Sequence, residues 1–277
     1  MVRVFDKSLL KKSWNDFLLV GTLCGILELF CNGLIQSYWL LSLGLVLVVI
    51  LLLYIARFVS AKKMRRVSLD INGSTFIIAQ KDIFETDGLK VINFDEFFDT
   101  KVDDRIIAKN SLNGVFLSKE VSDVHRLNSL IARALKDEPQ EHVKERKIRP
   151  NVKYELGTIY QYNNAFLLTA FTMVDGDNKA YLSMRDYVRF LLNFWNNLDK
   201  VYANKCVNIT LFGSSSLTRF MDVKNLSEQE LVEIIIWTFK ISRIKFKYPT
   251  TITLCLTEES LRRINLYRIK ELYKNAV

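Results

Sequence analysis

Hydrophobic and polar positions divide this chain into two unlike parts. Phe17–Ile35 and Tyr38–Ala56 are near-continuous apolar runs, each about as long as a helix must be to cross a bilayer core. From residue 67 onward, short apolar runs and helical stripes alternate with polar turns. Strand-like runs rich in Ile, Val, Phe and Thr occur at Thr75–Ala79, Leu89–Phe94, Phe166–Thr172, Cys206–Phe212 and Thr251–Leu256. Val124, Leu127, Ile131 and Leu135 mark one face of a helix after Ser122; Tyr187, Phe190, Leu191, Phe194, Leu198 and Val201 mark another. Ser227 and Glu230 form a capping box for a third helix, Glu228–Ser242. A last helix is predicted to start near Thr257, with Glu258 and Glu259 in a first turn that favours anions. Several strands are apolar on both faces, which favours a sheet covered by helices on each side. The charged stretch Lys136–Pro150 has no apolar period and reads as a solvated loop or insertion.

The two apolar runs predict a transmembrane hairpin in residues 1–66, with helices at about 16–35 and 38–58 and a turn at Gln36-Ser37. Residues 67–277 are enough for one sizeable α/β domain. Arg3, Lys7, Lys11 and Lys12 precede the first run, and Arg57, Lys62, Lys63, Arg65 and Arg66 follow the second; the loop between them carries no Lys or Arg. The positive-inside rule then places both termini in the cytoplasm, at the inner membrane of a cell. Trp14 and Tyr54 fall at the inner interface and Tyr38 and Trp39 at the outer one. A cleaved signal peptide is disfavoured, because no small-residue cleavage pattern follows the first run.

Charge sharpens this picture. Of the net +9, the hairpin segment holds +6, from nine basic and three acidic residues. The basic balance is thus a membrane signature, and no motif points to nucleic acid. The four cysteines, Cys24, Cys31, Cys206 and Cys255, lack metal-ligand spacing and read as buried reduced thiols. With only His125 and His142, little remains for a histidine metal site or a Ser-His-Asp system. No metal and no resident cofactor are expected. Inside the first run, Gly21 and Gly25 form a G-x-x-x-G suited to close helix packing, within one chain or between chains. Glu28 is a carboxylate about 21 Å along a helix from Trp14, either snorkelling outward or lying in a pore or oligomer seam.

Candidate chemistry centres on one loop. A buried strand, Val207–Phe212, runs into Gly213, Ser214, Ser215, Ser216, Leu217 and Thr218. A small-residue loop there can turn backbone N–H groups toward an anion, with serine hydroxyls as extra donors. There is no Walker lysine and no G-x-G-x-x-G spacing, so neither a nucleoside triphosphatase nor a dinucleotide dehydrogenase is indicated. Upstream, Lys81-Asp82-Ile83-Phe84 follows the first strand, the next strand ends near Asn93, and a loop leads to Ser111-Leu112-Asn113-Gly114-Val115-Phe116.

In this order of elements, and above all in the segment Ile209–Phe220 (ITLFGSSSLTRF), residues 67–277 resemble a macro domain. The resemblance implies a macro-domain-like mixed sheet flanked by helices, preceded here by the two-helix hairpin. It implies that Asp82 accepts from adenine with the Ile83 backbone beside it. It assigns Asn93 and Asn113, Gly114 and Val115 to the first loop, and Gly213 to Thr218 to the phosphate-cradling second loop. There are departures. The Asn-Ala-Ala-Asn and glycine run of catalytically active members is replaced by Asn93-Phe94-Asp95-Glu96, and Ser215 stands where a second glycine is often found. De-ADP-ribosylation is therefore not expected, although Asp95 or Glu96, read as surface carboxylates at a strand end, could act as a base.

A hairpin joined to a macro-like domain is similar to the membrane effector of type II Thoeris antiphage defence. That resemblance implies a partner TIR-domain enzyme that makes an ADP-ribose-containing signal, histidine–ADP-ribose. The signal would bind the macro-like domain, drive homo-oligomerisation and disrupt the lipid bilayer, with growth arrest or cell death. The alternatives are a membrane-anchored ADP-ribosyl hydrolase and an ADP-ribose reader that acts as a scaffold.

Overall fold

The computed structural model describes residues 5–143, 146, 150–215, 217–224, 226–242 and 250–273, the side chains of 27–37 excepted. Its described residues divide into two compact units, 5–67 with 264–273 and those within 68–263. The first is built on α1 (Lys7–Ser37) and α2 (Trp39–Lys62), joined through Tyr38 alone. Both helices outrun the apolar runs at their charged ends. Asp6 starts α1 by accepting from the Ser8 amide at 2.9 Å, as a capping carboxylate does. Arg57 Nη2 of α2 donates to Asp16 Oδ1 of α1 at 2.6 Å, which fixes the register of the antiparallel pair. Farther along, the described large apolar side chains are turned outward: Leu18, Leu19, Leu40, Leu41, Leu45 and Leu52 are among those exposed. Among the described residues α2 is the one helix long and apolar enough to cross a membrane. The expected first span runs into residues 27–37, and the side chain of Glu28 lies outside the described ones. Among the described residues a Cβ added at Gly21 or Gly25 would meet nothing within 4 Å.

The second unit opens with β1 (Arg66–Ile71) and β2 (Ser74–Gln80), neighbours across Asn72-Gly73. A 3-10 turn at Ile83–Glu85 leads to β3 (Leu89–Asp95), then α3 (Leu112–Glu120) and α4 (Val124–Ala134). Next come β4 (Gln140–His142), β5 (Val152–Tyr154), β6 (Ile159–Tyr162), β7 (Phe166–Val174) and β8 (Ala180–Leu182). The long α5 (Met184–Val201) precedes β9 (Val207–Thr210), β10 (Arg219–Phe220), α6 (Glu228–Ile241), β11 (Thr251–Leu256) and α7 (Glu258–Arg263). The final helix, α8 (Leu266–Tyr273), belongs with the hairpin unit.

Among the described residues one nine-stranded sheet runs β1-β2-β11-β9-β3-β7-β8-β10, with β6 on β7. Its centre is parallel: β2 with β11, β11 with β9, β9 with β3, β3 with β7. β6 and β8 pair antiparallel with β7, so the sheet is mixed, as expected. The central strands are buried on both faces, which is why their sequences are continuously apolar rather than alternating. On one face Phe94 and Phe98 cluster with Phe116 of α3 and with Leu127 and Ile131 of α4. On the other, Trp195 of α5 meets Phe239 of α6 at 5.0 Å between ring centroids, and Phe239 packs on Phe76 of β2. The predicted capping box at Ser227 and Glu230 is formed in full.

Three expectations need correction. The last predicted helix is two, broken at Ile264-Asn265. The stretch 136–150 is not only a solvated loop: β4 pairs with β5, and the side chain of Arg146 is 10% exposed against Asp99. Cys206 is exposed, because β9 begins one residue later, whereas Cys255 is buried as expected.

Candidate functional site

The carboxyl ends of β2, β11, β9, β3 and β7 open onto a cleft of about 870 Å³, the place where open parallel sheets receive ligands. Each wall is built locally. After β2, the Asp82 carboxylate accepts from the Phe84 amide at 2.9 Å and caps the 3-10 turn. That bond leaves Asp82 exposed, buries Ile83 in the core, and places the Phe84 ring on the cleft with Lys119 Nζ 6.0 Å from its centroid.

The first loop folds on itself before α3. Ile106 and Lys109 donate their amides to Asp103 and Asp104 at 2.8 and 2.9 Å. Ser111 caps α3, and Asn113 Oδ1 accepts from the Ser111 hydroxyl at 2.6 Å. Gly114 lets the loop cross the first turn of the helix, since a Cβ there would stand 2.2 Å from the Ala108 carbonyl oxygen.

The second loop hangs from an aromatic cluster. Phe212 packs against Phe171, Phe190 and Phe194, and the Tyr187 hydroxyl donates to its carbonyl at 3.0 Å. Gly213 follows with φ +83, its α-carbon beside the Phe220 ring, a conformation that suits glycine. The amides of Ser214, Leu217 and Thr218 are spent inside the loop, on Leu211, on the Ser215 hydroxyl and on the Ser215 carbonyl. Among the described residues the amides of Gly213 and Ser215 have no protein partner, so the expected fan of donors is narrower than the sequence implied.

Of the residues singled out in the sequence, Asp82, Asn93, Asn113, Val115, Gly213, Ser214, Ser215, Leu217 and Thr218 line this one cleft. Ile83 and Gly114 are buried behind it as supports. Ser216 lies outside the described residues. Phe84, Ile106, Lys119, Thr172, Asn178, Arg219 and Thr257 also line it and were not foreseen. Phe84, Thr172, Asn178, Arg219 and Thr257 lie in or near strand ends, whereas Ile106 sits in the first loop and Lys119 in the last turn of α3, where no sequence signal marks them.

Asp95 and Glu96 depart most from expectation: they are buried, not surface carboxylates. The register of β3 against β7 slips between Phe94 and Asp95, and such a bulge re-aims the side chains that follow. Asp95 borders the cleft, accepts from the amides of Phe97 and Asp99 at 2.8 and 3.2 Å, and is pushed up to about 7 by burial, with the Asp99 charge adding to it. Burial also raises Asp99, against the opposing pull of Arg146, whose Nη1 donates to it at 3.0 Å and whose guanidinium stacks 3.7 Å from the Phe97 ring centroid. Glu96 is raised by burial too, pairs with Lys153 Nζ at 3.3 Å, and does not line the cleft. Among the described residues no three His, Cys, Asp or Glu side chains converge in a group that could hold a metal.

A mixed, helix-covered sheet with two loops facing each other across the carboxyl ends of its central strands makes this a macro-type α/β domain. The family model for "Thoeris protein ThsA, Macro domain" matches residues 77–257. The Thoeris protein ThsA of Bacillus amyloliquefaciens (strain Y2) is 36% identical over 245 residues, covering 86% of this chain and 80% of that protein. The chain belongs to the Thoeris ThsA family. Among solved structures, a mutant of the Oceanobacillus iheyensis macrodomain aligns with TM-score 0.48 at 11% identity, over 76% of this chain and 96% of that one. The same macrodomain with ADP aligns at 0.44 and 13%, again over 76% and 96%.

Proposed function

We propose that this protein is a membrane effector of antiphage defence, switched by an ADP-ribose-containing signal. Its cleft would take histidine–ADP-ribose made by a TIR-domain partner; binding would drive homo-oligomers whose α1–α2 hairpins disrupt the inner membrane and arrest growth. The observation that carries this reading is the pairing of one cleft with one hairpin. The cleft falls in the size range of small-molecule sites. Among the described residues both helices of the hairpin expose apolar side chains, which a soluble protein rarely does. Within the cleft, the Phe84 ring beside the Asp82 carboxylate suits a stacked base whose amino group donates to that carboxylate. The open amides of Gly213 and Ser215 suit a diphosphate. Ligand can drive assembly only by binding the assembled state more tightly, and confinement to a bilayer raises the effective concentration so that a small preference suffices.

Asp95 favours a second reading, hydrolysis of an ADP-ribosyl bond. A carboxyl near 7 at a cleft wall is suited to general-base work. Calorimetric titration of the detergent-solubilised full chain with ADP-ribose and with histidine–ADP-ribose separates the two readings, with ligand recovered and analysed afterwards. Tight binding of intact conjugate with a shift to larger species is expected. Consumption of the conjugate without assembly would replace the effector by the hydrolase, and failure of both ligands to bind would remove the reading.

A further inference from the structure

The last helix carries information that the cleft does not. α8 has eight residues, about 12 Å of helix, too short to persist in water by itself. Part of its order comes from the base of the hairpin, while Leu266 and Ile269, 3% and 0% exposed, are buried outside that cluster. Tyr267 of α8 closes over Leu9 of α1 and Ala61 of α2, and these three are 8%, 0% and 4% exposed. Two polar ties flank the patch: Asn265 Nδ2 donates to Asp6 Oδ2 at 2.7 Å, and Lys12 Nζ donates to Glu271 Oε1 at 3.0 Å. Among the described residues Leu9 and Ala61 are the buried apolar side chains of α1 and α2. Among the described residues α8 therefore covers the apolar patch of the hairpin that is not left to its surroundings.

The chain leading into α8 starts at the cleft. Thr257 lines the cleft, and its hydroxyl accepts from the Ser260 amide at 3.1 Å to open α7. Only Ile264 and Asn265 separate α7 from α8, and Asn265 is itself tied to Asp6. Two residues span at most about 7 Å.

We propose that α8 is an autoinhibitory clasp. Docked, it occupies the face of α1 and α2 that another copy's hairpin would pack on, and keeps the chain unassembled. Undocked, it frees that face. The ligand as trigger rests on the function proposed above; the clasp itself does not.

The test is chemical cross-linking of the full chain in lipid nanodiscs, first without ligand. Lys12→Glu and Glu271→Lys each break the ion pair, and the double exchange restores it with reversed polarity. Each single variant is expected to give about fivefold or more cross-linked oligomer than wild type, and the double variant to return to the wild-type level. Single variants that stay at the wild-type level overturn the clasp. So does a double variant as assembled as the singles, because Lys12 would then act on lipid headgroups instead. Added histidine–ADP-ribose keeps the two ideas apart. Singles that assemble beside a wild type indifferent to ligand preserve the clasp and sink the signal; the reverse pattern sinks the clasp alone.

Discussion

At the residue scale, Asp82, Gly213 and Asp95 do different physical work, and each can be separated from mere stability. The Asp82 carboxylate caps a turn as well as facing the cleft. Asp82→Ala is expected to cost about 1 kcal/mol of stability together with ligand affinity. Asp82→Asn keeps a capping oxygen but loses the charge, so calorimetry should show weakened binding at an unchanged melting temperature. Equal binding by the Asn variant and wild type would confine Asp82 to its cap. For Asp95 the sign follows from its position. Its folded carboxyl, near 7, holds a proton that the unfolded chain releases above about 3.8. The folded state thus binds more protons between these values, and stability falls as pH rises from about 4 to about 7. Thermal melts across that window should show the slope in wild type and a flatter profile in Asp95→Asn; identical profiles would place the titration elsewhere.

Elements of the site succeed or fail by their glycines. A side chain at Gly213 combines a left-handed backbone with a Cβ 2.9 Å from the Phe220 ring. Gly213→Val is expected to cost roughly 1–3 kcal/mol and to lose ligand binding while membrane insertion stays intact. Gly114→Ala should force apart the first loop and α3 at Ala108, weakening ligand binding in the same titration with Asp82 untouched. Of the strands, those at the centre of the sheet were legible because two-sided burial demands continuous apolar runs. β1 was also legible: Val67, Leu69 and Ile71 alternate with Arg66, Ser68 and Asp70 before Asn72-Gly73, a strong hairpin signal. Of its outward residues only Arg66 belongs to the basic juxtamembrane run; Ser68 and Asp70 do not. β5, β6 and β8, three or four residues each, are too short for any period to declare itself.

For the whole molecule, the outward apolar surface of α1 and α2 decides behaviour in a cell. The full chain is expected to remain in the membrane pellet after alkaline carbonate extraction, whereas a peripheral protein held by Lys and Arg alone would be released; recovery in the supernatant would end the hairpin's role as a membrane span. What the sequence by itself determined was whatever repeats with the local period of a helix or strand. This covers the two apolar runs, the parallel strands, the faces of α4 and α5, and a small-residue loop at one strand end. Those signals are local because burial of a face imposes its spacing on neighbouring residues. Only the tertiary structure decided that Asp82, Asn93, Asn113 and Gly213 line one cleft, that Asp95 is buried and its carboxyl raised by that burial, and that α8 docks on Leu9 and Ala61. These depend on contacts between residues far apart in the chain, which chain closure and packing set and no period encodes.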